Sequence, residues 1–147
     1  MTFHRSHYRA FAHASYVYCL LLVPTRFRGV KQEVLVSGGG DGAIKVWSLG
    51  SFESDALLCI HKFKNPSTIV SSLANSGALL YAGLGNGGVH IYNLESLQLV
   101  QKIKTGSDSI PTLQVMDGVA FCGTTNGMLK VYHTFFDIKS LLISLAI

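Results

Sequence analysis

With 147 residues, 48% of them apolar and only 14% charged, the chain has enough apolar side chains to fill one packed domain and too little charge to stay disordered. Its formal net charge of +4 comes from basic residues scattered singly, without the run or aromatic-interleaved stripe of a nucleic-acid surface. No apolar run reaches the roughly 18–20 residues a membrane helix requires, so the expectation is a soluble, cytoplasmic chain that binds neither nucleic acid nor membrane.

Residues 1–8 carry no readable pattern. No Asp or Glu precedes Glu33, while Arg5, Arg9, Arg26 and Arg28 do, which is the composition of a transit peptide, and residues 16–23 have the length of a signal-peptide core. The same stretch is needed as structure: residues 9–13 predict the last strand of a preceding unit and residues 15–23 the first strand of the next. Residues 24–32, with Pro24 and Gly29, predict a basic loop. Residues 33–38 and 43–49 flank Asp41-Gly42, the strongest short-range hairpin signal. Residues 50–55 form a turn-rich connection, and 57–64 a further strand that ends at Asn65-Pro66-Ser67.

A second unit follows, with strands at 68–75, 79–83, 89–94 and 97–104 and turns at Ser76-Gly77 and Asn86-Gly87. A third has strands at 109–116, 119–123 and 129–133, turns at Asp117-Gly118 and Asn126-Gly127, and an apolar outer strand within 135–147. No window sustains a 3.6-residue apolar period, so helix content is expected to be low. Along the strands, Ile44 and Val46 alternate with Lys45 and Trp47, and the same alternation recurs in 89–92 and 129–132.

The units are copies of one pattern. Gly38, Gly83 and Gly123 coincide, as do Asp41, Asn86 and Asn126, and then Trp47, Tyr92 and Tyr132. The aromatic positions are 45 and 40 residues apart, the spacing of β-propeller blades. The expected fold is all-β, an incomplete β-propeller of about three four-stranded blades over residues 1–147: 14–64, 68–104 and 109–146.

The hairpin ending in Val46-Trp47 resembles the second half of a WD repeat, and the first unit fits the full pattern. That resemblance implies a structural tetrad of His13, Ser37, Asp41 and Trp47, in which carboxylate, imidazole, hydroxyl and indole N–H satisfy one another while buried. The second and third units have no matching His, so their turns, Asn86-Gly87 and Asn126-Gly127, are expected to rely on geometry and packing, as Gly42 does in the first.

Catalytic readings of these residues are weak. Ser37 with His13 and Asp41 could be read as a hydrolase triad, but no G-x-S-x-G elbow exists. Gly38-Gly39-Gly40 lacks the Gly-Lys-Ser/Thr and the helix of a phosphate loop. Cys19, Cys59 and Cys122 are an odd number without C-x-x-C, which favours free thiols in a reducing compartment. Cys59-Ile60-His61 lacks the second ligand pair of a metal site.

Residues 16–23, 34–42 and 80–92 resemble the N-terminal WD-repeat half of the fungal glutathione-degradation peptidase subunits. In that family a dinuclear-zinc peptidase domain follows the propeller and works with a subunit of the glutamine-amidotransferase fold. The peptidase's ligands have no counterpart here. The resemblance therefore implies a non-catalytic scaffold segment, without cofactor or metal, that binds protein partners, among them such a subunit. A generic WD adaptor, in a ubiquitin ligase or a trafficking scaffold, is the alternative.

Closed propellers have four to eight blades. An uncovered blade face of ~400 Å² forgoes about 10 kcal/mol at ~25 cal/mol/Å². The chain is thus expected to be part of a longer protein, or to need self-association or a partner at its open faces.

Overall fold

Runs of β-branched and aromatic residues interrupted by glycine turns leave little choice but short paired strands. The computed structural model describes residues 11–49, 57–64 and 67–134. The first unit contains β1 (Val17–Phe27), β2 (Val30–Gly39), β3 (Ala43–Ser48) and β4 (Leu58–Lys64), paired antiparallel in that order. The second repeats the arrangement with β5 (Val70–Ser76), β6 (Leu79–Leu84), β7 (Gly88–Asn93) and β8 (Gln98–Lys104). The third has β9 (Thr112–Met116), β10 (Val119–Gly123) and β11 (Leu129–His133). The outer strand expected within 135–147 and the connection at 50–55 lie outside the described residues, as do residues 1–10.

Sheets stack through the two faces that period-2 alternation creates. Val34, Val36, Ile44 and Val46 of the first sheet meet Leu80, Ala82, Leu84 and Tyr92 of the second in one apolar cluster. On its other face the second sheet contributes Tyr81, Val89 and Ile91 to a cluster with Leu113, Ala120 and Cys122 of the third. Fully burying an aliphatic side chain of this kind contributes roughly 1.5–3 kcal/mol, so these two seams carry the fold. The segment entering the third sheet is tied back to the second: both Ser71 Oγ and Ser72 Oγ donate to the Ile110 carbonyl at 2.7 Å.

Two sequence expectations are corrected. The basic loop expected over 24–32 is a continued hairpin, with Pro24 opposite Glu33 and Arg26 opposite Lys31. Pro24 is tolerated because β1 is an edge strand, where a missing N–H breaks no ladder on the free side. Arg28 and Gly29 then make a two-residue turn with φ of 49° and 79°, both positive as a type I′ hairpin turn requires. The strand expected over 9–13 is also absent where it is described: residues 11–15 are turns and bends. Their polar groups are engaged by side chains of the first sheet instead of by a neighbouring strand.

Candidate functional site

The first unit gathers four side chains from three separate parts of the sequence. His13 lies in the entering segment, Ser37 in β2, Asp41 in the β2–β3 turn and Trp47 in β3. The Trp47 indole N–H donates to Ser37 Oγ at 2.8 Å, and Ser37 Oγ lies 2.7 Å from His13 Nε2. His13 Nδ1 is 3.0 Å from Asp41 Oδ1. With Asp41 ionised, Nδ1 carries the proton, which leaves Nε2 to accept the Ser37 hydroxyl.

Asp41 also accepts from two backbone N–H groups, Ala14 to Oδ2 at 2.9 Å and Ala43 to Oδ1 at 3.0 Å. Burial works to raise its pKa, but the hydrogen bonds from His13, Ala43 and Ala14 outweigh that and hold it at about 2. His13, Ser37 and Trp47 are buried. Asp41 keeps 16% of its side chain exposed, a departure from the expectation that all four would be enclosed. A carboxylate at a turn tip stays partly wet because its free lone pairs face outward.

Two supporting residues escaped the sequence reading. Gly39 is needed for space: a Cβ there would come within 2.4 Å of His13 Nδ1, so its place in the triple glycine was the available signal. Lys45 donates to the Ala12 carbonyl, holding the entering segment over the sheet; a single alternating lysine gives no such signal.

The other turns are braced by different means. Asn86 Oδ1 accepts the Gly88 N–H at 3.0 Å, and Lys104 Nζ donates to the Asn86 carbonyl at 2.8 Å. Ala82 and Cys122 stand where the first sheet has Ser37, so no hydroxyl is there to link an aromatic to the turn. The Tyr132 hydroxyl donates to the Thr105 carbonyl at 3.4 Å, and the Thr124 hydroxyl donates to Asn126. Gly42, Gly87 and Gly127 take φ of 77°, 82° and 82°, left-handed values that favour glycine. These turns therefore rest on more than geometry and packing.

Chemically, the tetrad is a closed circuit. The Ser37 oxygen accepts the indole N–H and its proton points at His13, so the hydroxyl is buried and already engaged, unlike a nucleophile that must meet substrate. The Cys19 thiol is pushed up to about 11, chiefly by burial and against the Gly38 backbone bond that lowers it. Burial also raises Cys122, so both favour the protonated thiol. Cys59 donates to the His61 carbonyl at 3.4 Å, and no group of three metal-ligating side chains forms among the described residues.

Comparison with known proteins gives this arrangement a family. The chain matches the WD40 repeated domain over residues 9–142. No curated protein matches it. Among solved structures it is similar to U3-55K, at 19% identity and a TM-score of 0.65, over 83% of this chain and 37% of that one. Sqt1 of Saccharomyces cerevisiae is similar at 18% identity and a TM-score of 0.63, over 80% of this chain and 33% of Sqt1. The computationally designed Ika4 protein aligns at 16% identity and a TM-score of 0.61, over 90% of this chain and 99% of Ika4. These identities carry the fold alone, and the chain spans about a third of the length of U3-55K and Sqt1. On the extent of the family match and the strand order its sheets repeat, the chain belongs to the WD40 repeat family.

Proposed function

We propose that this chain is a non-catalytic scaffold segment that presents the turns at Asp41-Gly42, Asn86-Gly87 and Asn126-Gly127 to a protein partner. The observation that carries the reading is the bracing of these three turns, each held by its own Asp or Asn side chain and set on a rigid sheet. Loops fixed on a rigid scaffold are where binding residues concentrate, and loops already ordered lose less entropy when a partner docks. The engaged Ser37 hydroxyl weighs against hydrolysis.

The narrower form of the proposal makes the chain the propeller part of a glutathione-degrading peptidase subunit, with a glutamine-amidotransferase-fold subunit as its partner. Its support is the sequence likeness at 16–23, 34–42 and 80–92. The three free cysteines support a reducing, cytoplasmic setting.

Titration calorimetry of the purified chain against that subunit tests it. Binding that weakens when Asn126 is replaced by Lys, with β structure intact, supports both forms. Absence of binding sinks the narrower form and leaves a WD40 adaptor with another partner. Ester or peptide turnover abolished by Ser37→Ala would sink the scaffold reading itself.

A further inference from the structure

Lysines that stand apart in the sequence are collected by the repeat at one end of the sheets. Lys45, His90 and Lys130 share a register position, opposite Ser37, Ala82 and Cys122, three residues beyond the turn glycine of each blade. The outer strands add a second set. Lys62 and Lys102 stand opposite Lys45 and His90, and Lys64 and Lys104 end their strands opposite Ala43 and Gly88. All lie at the end that carries the Asp-Gly and Asn-Gly turns. Burial, and after it the charge of Lys102, lowers the His90 pKa. Lys104 Nζ donates to the Asn86 carbonyl at 2.8 Å, and Lys130 Nζ to the Thr105 carbonyl. Each of these ammonium groups spends one of its three donors on the main chain, which fixes the charge beside a turn and leaves donors for a ligand.

Acidic residues do not offset these charges locally. Among the described residues only Asp41 and Asp108 are acidic at this end, and Asp41 is committed to His13 and to two backbone N–H groups. Glu33, Glu95 and Asp117 lie at the opposite end of the sheets, beyond the Val34–Ser48 pair and in the β7–β8 and β9–β10 turns.

We propose that the turn end of the second and third blades seats an acidic stretch of a partner protein, whose carboxylates meet Lys102, Lys104 and Lys130. This rests on the reading of the turns as the binding face and adds the chemistry of what binds there. The three lysines flank the second sheet, which has a neighbouring sheet on both faces, so the surface is the same whatever adjoins the first and third sheets. Charge complementarity selects the occupant: a carboxylate-bearing segment gains at each lysine, while a basic one is repelled. A polypeptide fits better than nucleic acid. No arginine stands at this end among the described residues to grip phosphate through two parallel hydrogen bonds. Nor do the seams beside the second sheet offer a stacking platform for bases: Tyr92 is 4% exposed, and the Tyr132 hydroxyl is bonded to the Thr105 carbonyl.

Fluorescence anisotropy of the full chain with a fluorescein-labelled peptide of alternating Glu and Ser tests this. The peptide should bind, less tightly as salt rises, and its counterpart with Gln in place of Glu should not. Lys102→Gln and Lys104→Gln are each expected to weaken binding about two- to fivefold, whereas Lys31→Gln, in the β1–β2 hairpin at the other end, leaves it unchanged. Lys104→Gln removes the bond to Asn86; should it lose the far-ultraviolet β spectrum, the exposed Lys102 reads the same surface. Absence of Glu-peptide binding, equal binding of the Glu and Gln peptides, or binding that responds to Lys31→Gln and not to Lys102→Gln would overturn the proposal. So would tighter binding of single-stranded oligothymidylate, which would make the ligand a nucleic acid. If the peptide fails while the amidotransferase-fold subunit still binds, the acidic chemistry alone falls and the turn face stands. Glu-peptide binding that depends on Lys102, without binding of that subunit, supports the acidic chemistry and sinks only the narrower partner assignment.

Discussion

Ser37 is the residue on which the first turn depends, because its oxygen serves Trp47 and its proton serves His13. Ser37→Ala leaves an indole N–H and an imidazole nitrogen buried without a partner, at an expected cost of about 1–3 kcal/mol. Urea unfolding followed by the fluorescence of Trp47, the single tryptophan, measures this directly; an unchanged midpoint would contradict it. Asp41 sets the acid limit. Its carboxyl moves from 3.8 down to about 2 on folding, and a folded value below the unfolded one stabilises the ionised form. The contribution is complete above pH 3.8 and lost as pH falls through about 2. Wild-type stability should decline across that window, whereas Asp41→Asn should start lower and change less; parallel curves would refute the assignment.

Among the elements, the two Asn-Gly hairpins look alike in sequence and differ in surroundings. Gly87 and Gly127 share a φ of 82°, so alanine is strained at either. A Cβ at Gly87 would also come within 2.3 Å of the Gly106 carbonyl oxygen, while nothing lies within 4 Å at Gly127. Gly127→Ala is therefore expected to cost about 1 kcal/mol and Gly87→Ala about 2–3, as read from thermal or urea midpoints; equal costs would show that the Gly106 carbonyl yields freely. The long β1–β2 hairpin shows the same dependence on context. Pro24 and Gly29 favour a loop locally, yet the strand continues because its edge is free and because Val23 and Phe27 are buried.

For the molecule as a whole, the balance lies between two covered seams and two bare ends. The seams hold the largest buried side chains, while Leu129 and Val131 at one end and Leu20 and Leu22 at the other remain in water.

The turn dipeptides and the period-2 strands were legible in the sequence because both are local: a positive φ favours glycine, and alternation is fixed by the pleat. The repeat of Gly, Asp or Asn, and aromatic positions gave the number of units for the same reason. The tetrad residues could be named only through family likeness, since His13 and Asp41 are 28 positions apart and nothing local joins them. Only the tertiary structure decided that Gly39 makes room for His13, that Gly106 crowds Gly87 but nothing crowds Gly127, and which apolar face of each sheet is covered. Alternation creates two faces on every strand, but what lies against each depends on how the sheets stack, and that is a property of the assembled chain.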